Sequence, residues 1–339
     1  MASHRRPKPP ARTRVTVLTA TAAAAVALSG QSAVAAPGGP DKDEVKTEVD
    51  ALYDEAERAT EKFNGAREHQ ERLEKEIAQL QDAVARDQGE LNDLRNTLGS
   101  LAAAQYRGGG IDPSVALLLS ADPETYLDKA ATLQQLTGRQ LEAVARIQAK
   151  QRTLAQQRQE AAGKLADLDA ARKELAGQKK AAQGKLAEAQ ALLNTLSAQD
   201  RSRLRAEEAG RSRAGEKAAP AVNASGRAAA ALAAAKTKLG SAYVMGATGP
   251  GAYDCSGLTQ WAYGQAGIGI TRTTYTQANE GTRIGRSQLQ PGDLVFFYDD
   301  LHHVGLYAGN NTTLHASNPR GGVKYESMDN MPFQFGVRI

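Results

Sequence analysis

The chain has 339 residues, 24% of them charged and 5% aromatic, a formal net charge of +4 and one cysteine. That length holds about two domains, and a single cysteine excludes an internal disulfide scaffold. The first 35 residues carry five of the 42 basic residues and no acidic one, so without them 37 basic residues face 38 acidic ones. The basic balance therefore belongs to the leader and gives no support to nucleic-acid binding.

Those 35 residues read as a secretory signal. Arg5, Arg6, Lys8, Arg12 and Arg14 form its basic start, Val15 to Leu28 its apolar stretch, and Ala33-Val34-Ala35 its small-x-small cleavage pattern. The apolar run falls short of the ~20 residues that span a bilayer, so no retained transmembrane helix is expected.

From Val45 the apolar positions alternate by four and three: Val45, Val49, Leu52, Ala56, Ala59, Phe63, Ala66. The stripe resumes at Leu73, Ile77, Leu80 and Val84, and again at Leu91, Leu94, Leu98 and Leu101. Such persistence predicts a coiled-coil helix. A break is expected over 107–123, where Gly108-Gly109-Gly110 precedes the apolar segment 111–119 and Asp122-Pro123 restarts a helix. A second, diluted stripe through Leu133, Val144, Leu154, Leu168, Leu186 and Leu196 carries that helix to about Ala206. The simplest architecture for 41–206 is an antiparallel hairpin, with a parallel homodimer as the alternative. Val115 to Leu119 is too apolar for a solvated loop and predicts folding back on the arm or docking on a partner. Residues 207–226 lack periodicity and read as a flexible linker.

Residues 227–339 carry a compact domain. Arg227 to Leu239 and Cys255 to Gln265 read as helices, followed by strands over 294–298, 303–308, 312–317, 322–326 and 335–338. Helices first and a meander of strands after them is an α+β pattern of the papain-like kind. Asp254 caps the helix that begins at Cys255, and a helix start stabilises a thiolate. A small buried apolar cysteine is the plainer alternative. A cysteine nucleophile needs a base and a group that orients it. A three-residue loop at Gly309-Asn310-Asn311 would set Gly305 opposite His315, with His303 its diagonal neighbour on the same face. A two-residue turn without a bulge would send them to opposite faces. His302 should point the other way, as a loop or surface residue. Zinc would need more ligands than one cysteine and two histidines, and no carboxylate stands at ligand spacing nearby, so no metal or other cofactor is expected.

Gly240-Ser241-Ala242-Tyr243-Val244-Met245-Gly246 and Tyr253-Asp254-Cys255-Ser256-Gly257-Leu258 resemble the opening of the NlpC/P60 family of cell-wall cysteine peptidases. Thr271-Arg272-Thr273, Leu289 to Phe297, His303 to Tyr307 and Leu314-His315-Ala316 match its later blocks in order. The resemblance covers about the last 110 residues. It implies a secreted D,L-endopeptidase that cuts peptidoglycan stem peptides after γ-D-glutamate. Cys255 would be the nucleophile, His303 the base and His315 the orienting residue. Asp254 and Ser256 would hold the amino end of the peptide, on a substrate side that also includes Arg272. The Tyr243 hydroxyl would join the Cys255 N–H at the oxyanion. Met245, Ala247 and Thr271 stand where the family usually has Trp, Gly and Pro. The arm also resembles those of division-associated hydrolases, which implies a membrane transporter of the FtsE–FtsX type as a partner of 111–119. A coiled-coil adaptor without activity, and a related thiol amidase or acyltransferase, are the rival readings.

Overall fold

The computed structural model describes residues 41–107, 115, 119, 123–219 and 226–339. The expected leader and most of the break lie outside them. Helix α1 spans Lys42–Arg107, with Asp43 and Glu44 in its first turn and Arg107 in its last, the charge order that suits the helix dipole. Helix α2 spans Pro123–Thr195 and starts at the proline that the sequence places there. The two run antiparallel. Leu73 and Ile77 pack with Leu168 and Ala171, and Lys185–Glu55, Lys164–Glu76 and Lys150–Asp87 pairs tie rising positions on α1 to falling ones on α2. This is the expected hairpin. Among the described residues no helix is long and apolar enough to cross a membrane.

Two boundaries differ from expectation. The second helix stops at Thr195, and the chain is extended at Ser197 before re-entering a helix α3, Ala198–Ala218. Ser197 Oγ accepts the Asp200 N–H at 3.1 Å, a side-chain cap that periodicity alone does not show. The expected linker over 207–226 is thus helical as far as Ala218. Its sequence lacks an apolar stripe because α3 is fastened by polar contacts. Only Leu204, Glu208 and Gly215 are buried on it, and Asn310 Nδ2 donates to the carbonyl of Ala218 at its end.

The C-terminal domain is α+β. Helices α4 (Arg227–Lys236) and α5 (Cys255–Gln265) are followed by a short helix α6 (Thr274–Gln277). Two-residue strands β1 (Ala242–Tyr243) and β2 (Ala252–Tyr253) pair beside α5. The main sheet has β3 (Thr282–Ile284), β4 (Leu294–Phe297), β5 (His303–Gly309), β6 (Thr312–Ala316), β7 (Val323–Ser327) and β8 (Phe333–Arg338), in the order β3-β8-β4-β5-β6-β7. Its neighbouring strands are all antiparallel. The five expected strands form; β3 is an addition, too short and too exposed for an alternating pattern.

Strand β4 divides two clusters by its alternation. Leu294 and Phe296 enter the main core with Leu232, Leu258, Val304 and Leu306, and Val295 and Phe297 join Met328 in a second cluster. His303 lies directly opposite Phe297 and shares that second face.

Phe296 is fully buried, so Phe296→Ala should cost about 3–5 kcal/mol. The loss should appear in the unfolding transition reported by Trp261, the only tryptophan. Leu73→Ala should instead shift the helical signal at 222 nm. Equal shifts of both probes by both variants would contradict two separate cores.

Candidate active site

Cys255 opens α5. Asp254, extended at φ −96° and ψ 179°, caps it by accepting the Gly257 N–H at 2.7 Å. A side chain at Gly257 would come within 2.2 Å of the Ala247 carbonyl, so glycine lets the loop close tightly on the helix start. Gly246 N–H donates to the other oxygen of Asp254 at 2.9 Å, and the Asp254 N–H returns to Ala247 O at 3.0 Å. The nucleophile candidate is thereby fixed at a helix N-terminus, where free N–H groups favour negative charge on sulfur or on an oxyanion.

The histidines meet through a turn different from the one expected. Leu306 faces Leu314 and Tyr307 faces Thr313, the predicted register, but Gly309 faces Thr312 across an irregularity at Ala308. Asn310 and Asn311 form a two-residue turn with φ of 47° and 57°, a backbone that asparagine tolerates. The bulge restores the same-face relation that a plain two-residue turn would lose. A Cβ at Gly305 would stand 3.1 Å from that of His315, so the absent side chain makes the room. His303 Nε2 lies 2.6 Å from His315 Nδ1, with the rings edge-on. Glu326 of β7 stands 3.4 Å from His315 Nε2. Burial, aided by the neighbouring His303 and opposed by Glu326, lowers His315 to about 4. It is therefore the neutral acceptor in this pair.

Helix α1 lies across this site. Glu57, Thr60, Glu61 and Asn64 are buried at the i, i+3, i+4, i+7 spacing of one helix face. Glu57 Oε1 is 2.5 Å from His303 Nδ1. Glu61 Oε1 accepts from Ser256 Oγ at 2.6 Å and lies 3.7 Å from Cys255 Sγ, while its Oε2 accepts the Thr274 N–H at 2.8 Å. Asn64 Nδ2 donates to Asp254 at 3.0 Å. Cys255 has no exposed surface. Burial first, then the charges of Glu57, Glu61 and Asp254, push its thiol well above the ordinary range. The sulfur is a protonated donor here, not a thiolate. Burial would lower His303, but Glu57 reverses this and raises it. Burial and Asp254 together raise Glu61 from an ordinary 4.5 to about 7, against the bonds from Ser256 and Thr274.

The other expected residues gather at the same place. Arg272 binds Asp254 at 2.6 Å and Ser256 Oγ at 2.7 Å. Tyr243 is buried, its hydroxyl raised by burial and by the charges of Glu57, Cys255, Asp254 and Glu61. His302 is not a surface residue: it is fully buried, bonded to Asp300 and stacked 4.2 Å from Tyr298. Its carbonyl lies 3.9 Å from Cys255 Sγ. The sequence reading did not find Glu57, Glu61, Asn64 or Glu326. The first three look like an ordinary solvated helix face until something covers them. The donor atoms of Glu57, Cys255 and His303 lie within 4.8 Å of one another, the only such trio among the described residues. At 2.5 Å, however, the Glu57 and His303 atoms are too close to share a tetrahedral ion, whose ligands stand about 3.4 Å apart.

Residues 240–337 match the model of the NlpC/P60 family, and this region is an NlpC/P60 domain. A relative described as "Probable endopeptidase", from Corynebacterium glutamicum, is 52% identical over 106 residues, 31% of this chain and 51% of that protein. A "Probable endopeptidase p60" from Listeria monocytogenes is 43% identical over 99 residues, 29% of this chain and 20% of that one. The chain thus spans about half or less of these relatives. The crystal structure of the NlpC/p60 domain of the peptidoglycan hydrolase SagA is 35% identical over 33% of this chain and 98% of its own, with a TM-score of 0.32.

Docking of α1 should weaken as pH rises. Glu61 has its pKa raised when docked, so its contribution is whole below 4.5 and is lost as pH climbs through about 7. His303, also raised, loses the charge that faces Glu57 in the same direction. Alkylation of Cys255, normalised to a free model thiol, should therefore accelerate from about pH 5 to 8. The rise should be smaller in Glu61→Gln. A ratio independent of pH would contradict this electrostatic reading.

Proposed function

We propose that the C-terminal domain is a cysteine endopeptidase that cuts peptidoglycan stem peptides after γ-D-glutamate, and that α1 holds it closed until the arm is drawn away. The observation that carries the reading is the alignment of Cys255 at a helix start with His303 and His315 on adjacent strands, 2.6 Å apart. The naming of the relatives as endopeptidases supports the reaction class.

The chemistry is acyl transfer. With α1 withdrawn, the carboxylates of Glu57 and Glu61 leave, water enters and the main causes of the raised thiol pKa are gone. His303 then takes the Cys255 proton, and His315, neutral and bonded at the far nitrogen, fixes the ring and accepts from the imidazolium. The thiolate attacks the γ-D-glutamyl carbonyl. The Cys255 N–H and the Tyr243 hydroxyl stabilise the oxyanion. His303 protonates the leaving amine, the C–N bond breaks, and water attacks the thioester to free the enzyme. Asp254 and Ser256, in the network with Arg272, hold the amino end of the peptide.

Export follows from the leader over 1–35, which gives the domain access to the wall. Val115 and Leu119 are exposed in the described part of the break, at 49% and 73%. These two exposed apolar side chains between α1 and α2 suit a membrane partner of the FtsE–FtsX type, which would pull on the hairpin.

Isolated cell walls incubated with the chain lacking its leader test this. The wild-type chain should release new diamino-acid amino groups slowly, Glu57→Ala/Glu61→Ala about tenfold faster or more, and Cys255→Ala not at all. Undiminished release by Cys255→Ala would sink the mechanism. Equal rates for the wild type and the double variant would sink the restraint by α1.

A further inference from the structure

His303 Nε2 and His315 Nδ1 lie 2.6 Å apart, so one of them donates and the other accepts. Two neutral arrangements meet that condition. In the first, His303 carries its hydrogen on Nε2, and its Nδ1 is bare and free to take a proton from Cys255. In the second, His315 donates from Nδ1, His303 carries its hydrogen on Nδ1, and the base faces the thiol already protonated. The distance alone does not choose between them. In the closed chain charge chooses. Burial would lower His303, but Glu57 outweighs it, and the imidazolium donates from both nitrogens. Withdrawal of α1 removes Glu57 and, with it, that constraint.

The far nitrogen of His315 supplies a choice that does not depend on α1. A neutral imidazole carries one hydrogen, and the partner of one nitrogen decides which nitrogen keeps it. Nε2 of His315 is buried without a completed hydrogen bond, and Glu326 Oε2 faces it at 3.4 Å. Glu326 reaches it diagonally from the next strand. Lys324 lies directly opposite His315 in the β6–β7 register, and Glu326 stands two residues further on the same face. Burial would raise the Glu326 carboxyl, but His315 and Lys324 outweigh it and hold it well below the usual carboxylate range. An ionised carboxylate only accepts. Its Oε1 accepts from Asn330 Nδ2 at 3.0 Å, and its Oε2 meets Lys324 at 2.6 Å, so the group is fixed in place. Lys324 competes with His315 for Oε2 and is itself shared with Glu208 of α3.

We propose that Glu326 is a positioning residue: it keeps the hydrogen of His315 on Nε2, so that Nδ1 accepts from His303 and His303 Nδ1 stays bare toward Cys255. The consequence for catalysis rests on the endopeptidase reading; the placement of the hydrogen does not.

The test is nitrogen-15 NMR of the histidine rings in the full chain opened by Glu57→Ala/Glu61→Ala. Cys255→Ala is added so that no thiolate–imidazolium pair forms. The chain has five histidines, and the signal lost in His315→Gln assigns that ring. At a pH where His303 is neutral, His315 should carry its hydrogen on Nε2. Glu326→Leu should move it wholly or in part to Nδ1. Lys324→Met, which disturbs the same face but leaves the acceptor, should not. With Cys255 restored, kcat is read on L-Ala-γ-D-Glu-L-Lys or its meso-diaminopimelate counterpart, whichever is cut faster. Glu326→Leu should lower it about tenfold or more with KM little changed, and Glu326→Gln, whose amide oxygen still accepts, should keep part of the rate. A hydrogen on Nδ1 of His315 in the opened chain overturns the proposal with no change made at Glu326. So does an Nε2 hydrogen that survives Glu326→Leu with kcat intact. Absence of turnover in every chain, with Nε2 protonated, overturns the endopeptidase reading and the catalytic use of the placement, but not the placement itself.

Discussion

Two carboxylates of a helix are buried against the only thiol in the chain, and the closed arrangement depends on that burial. A carboxylate moved out of water is costly unless its lone pairs are filled. Glu61 meets this requirement with the Ser256 hydroxyl, the Thr274 N–H and hydroxyl, and Asn64 Nδ2. Glu57 meets it with His303. Apart from Asn64 on α1 itself, every group that solvates these two carboxylates belongs to the C-terminal domain. The contact is therefore specific in a way that an apolar seam is not, because a shift of one helical residue would leave the charges buried and unpaired.

The same polar character explains what the sequence showed and what it hid. Strand positions, the helix start at Cys255 and the hairpin were legible because each rests on a local rule: alternation, capping or heptad spacing. The His303–His315 relation was legible only conditionally. The register could be argued on paper, but whether a bulge or an odd loop produced it depended on Asn310 and Asn311 accepting positive φ. Helix α3 was hidden because Glu208 and the Asn310–Ala218 bond hold it rather than an apolar stripe. Glu57, Glu61 and Asn64 were hidden for a deeper reason. On α1 they alternate with the residues that face α2, and charged residues on the remaining face are what any solvated helix shows. Only a partner nearly two hundred positions away turns that face into a buried one.

The domain's two faces divide its labour. The helices α4 and α5 are packed on the sheet by apolar contacts that hold Cys255 in place whatever α1 does. The opposite face carries His303, His315, Lys324 and Glu326, and it is polar enough that another element must cover it or water must fill it. Chain connectivity supplies that element twice. Helix α1 enters along the cleft, and α3, which leads directly into the domain, brings Glu208 to Lys324 and Arg320 beside Asp50. Leu204 of α3 joins Val45, Val49 and Tyr53 of α1 in one apolar cluster, together with Leu193 of α2 and Leu196 of the turn between α2 and α3.

Under the proposed function, docking of α1 and binding of a stem peptide compete for Asp254, Ser256 and His303. Competition of this kind is reciprocal: whatever substrate gains from these residues is the most it can contribute to opening the arm. Substrate alone is a poor key, because the helix is tethered to the domain and presents its carboxylates at high effective concentration. A force or partner acting at the far end of the hairpin avoids that competition, since it touches none of the shared residues. The length of the arm then has a physical use. It carries the point of control some forty-five residues of α1 away from the thiol, about 70 Å along the helix, while the chemistry remains sealed by two side chains near its base.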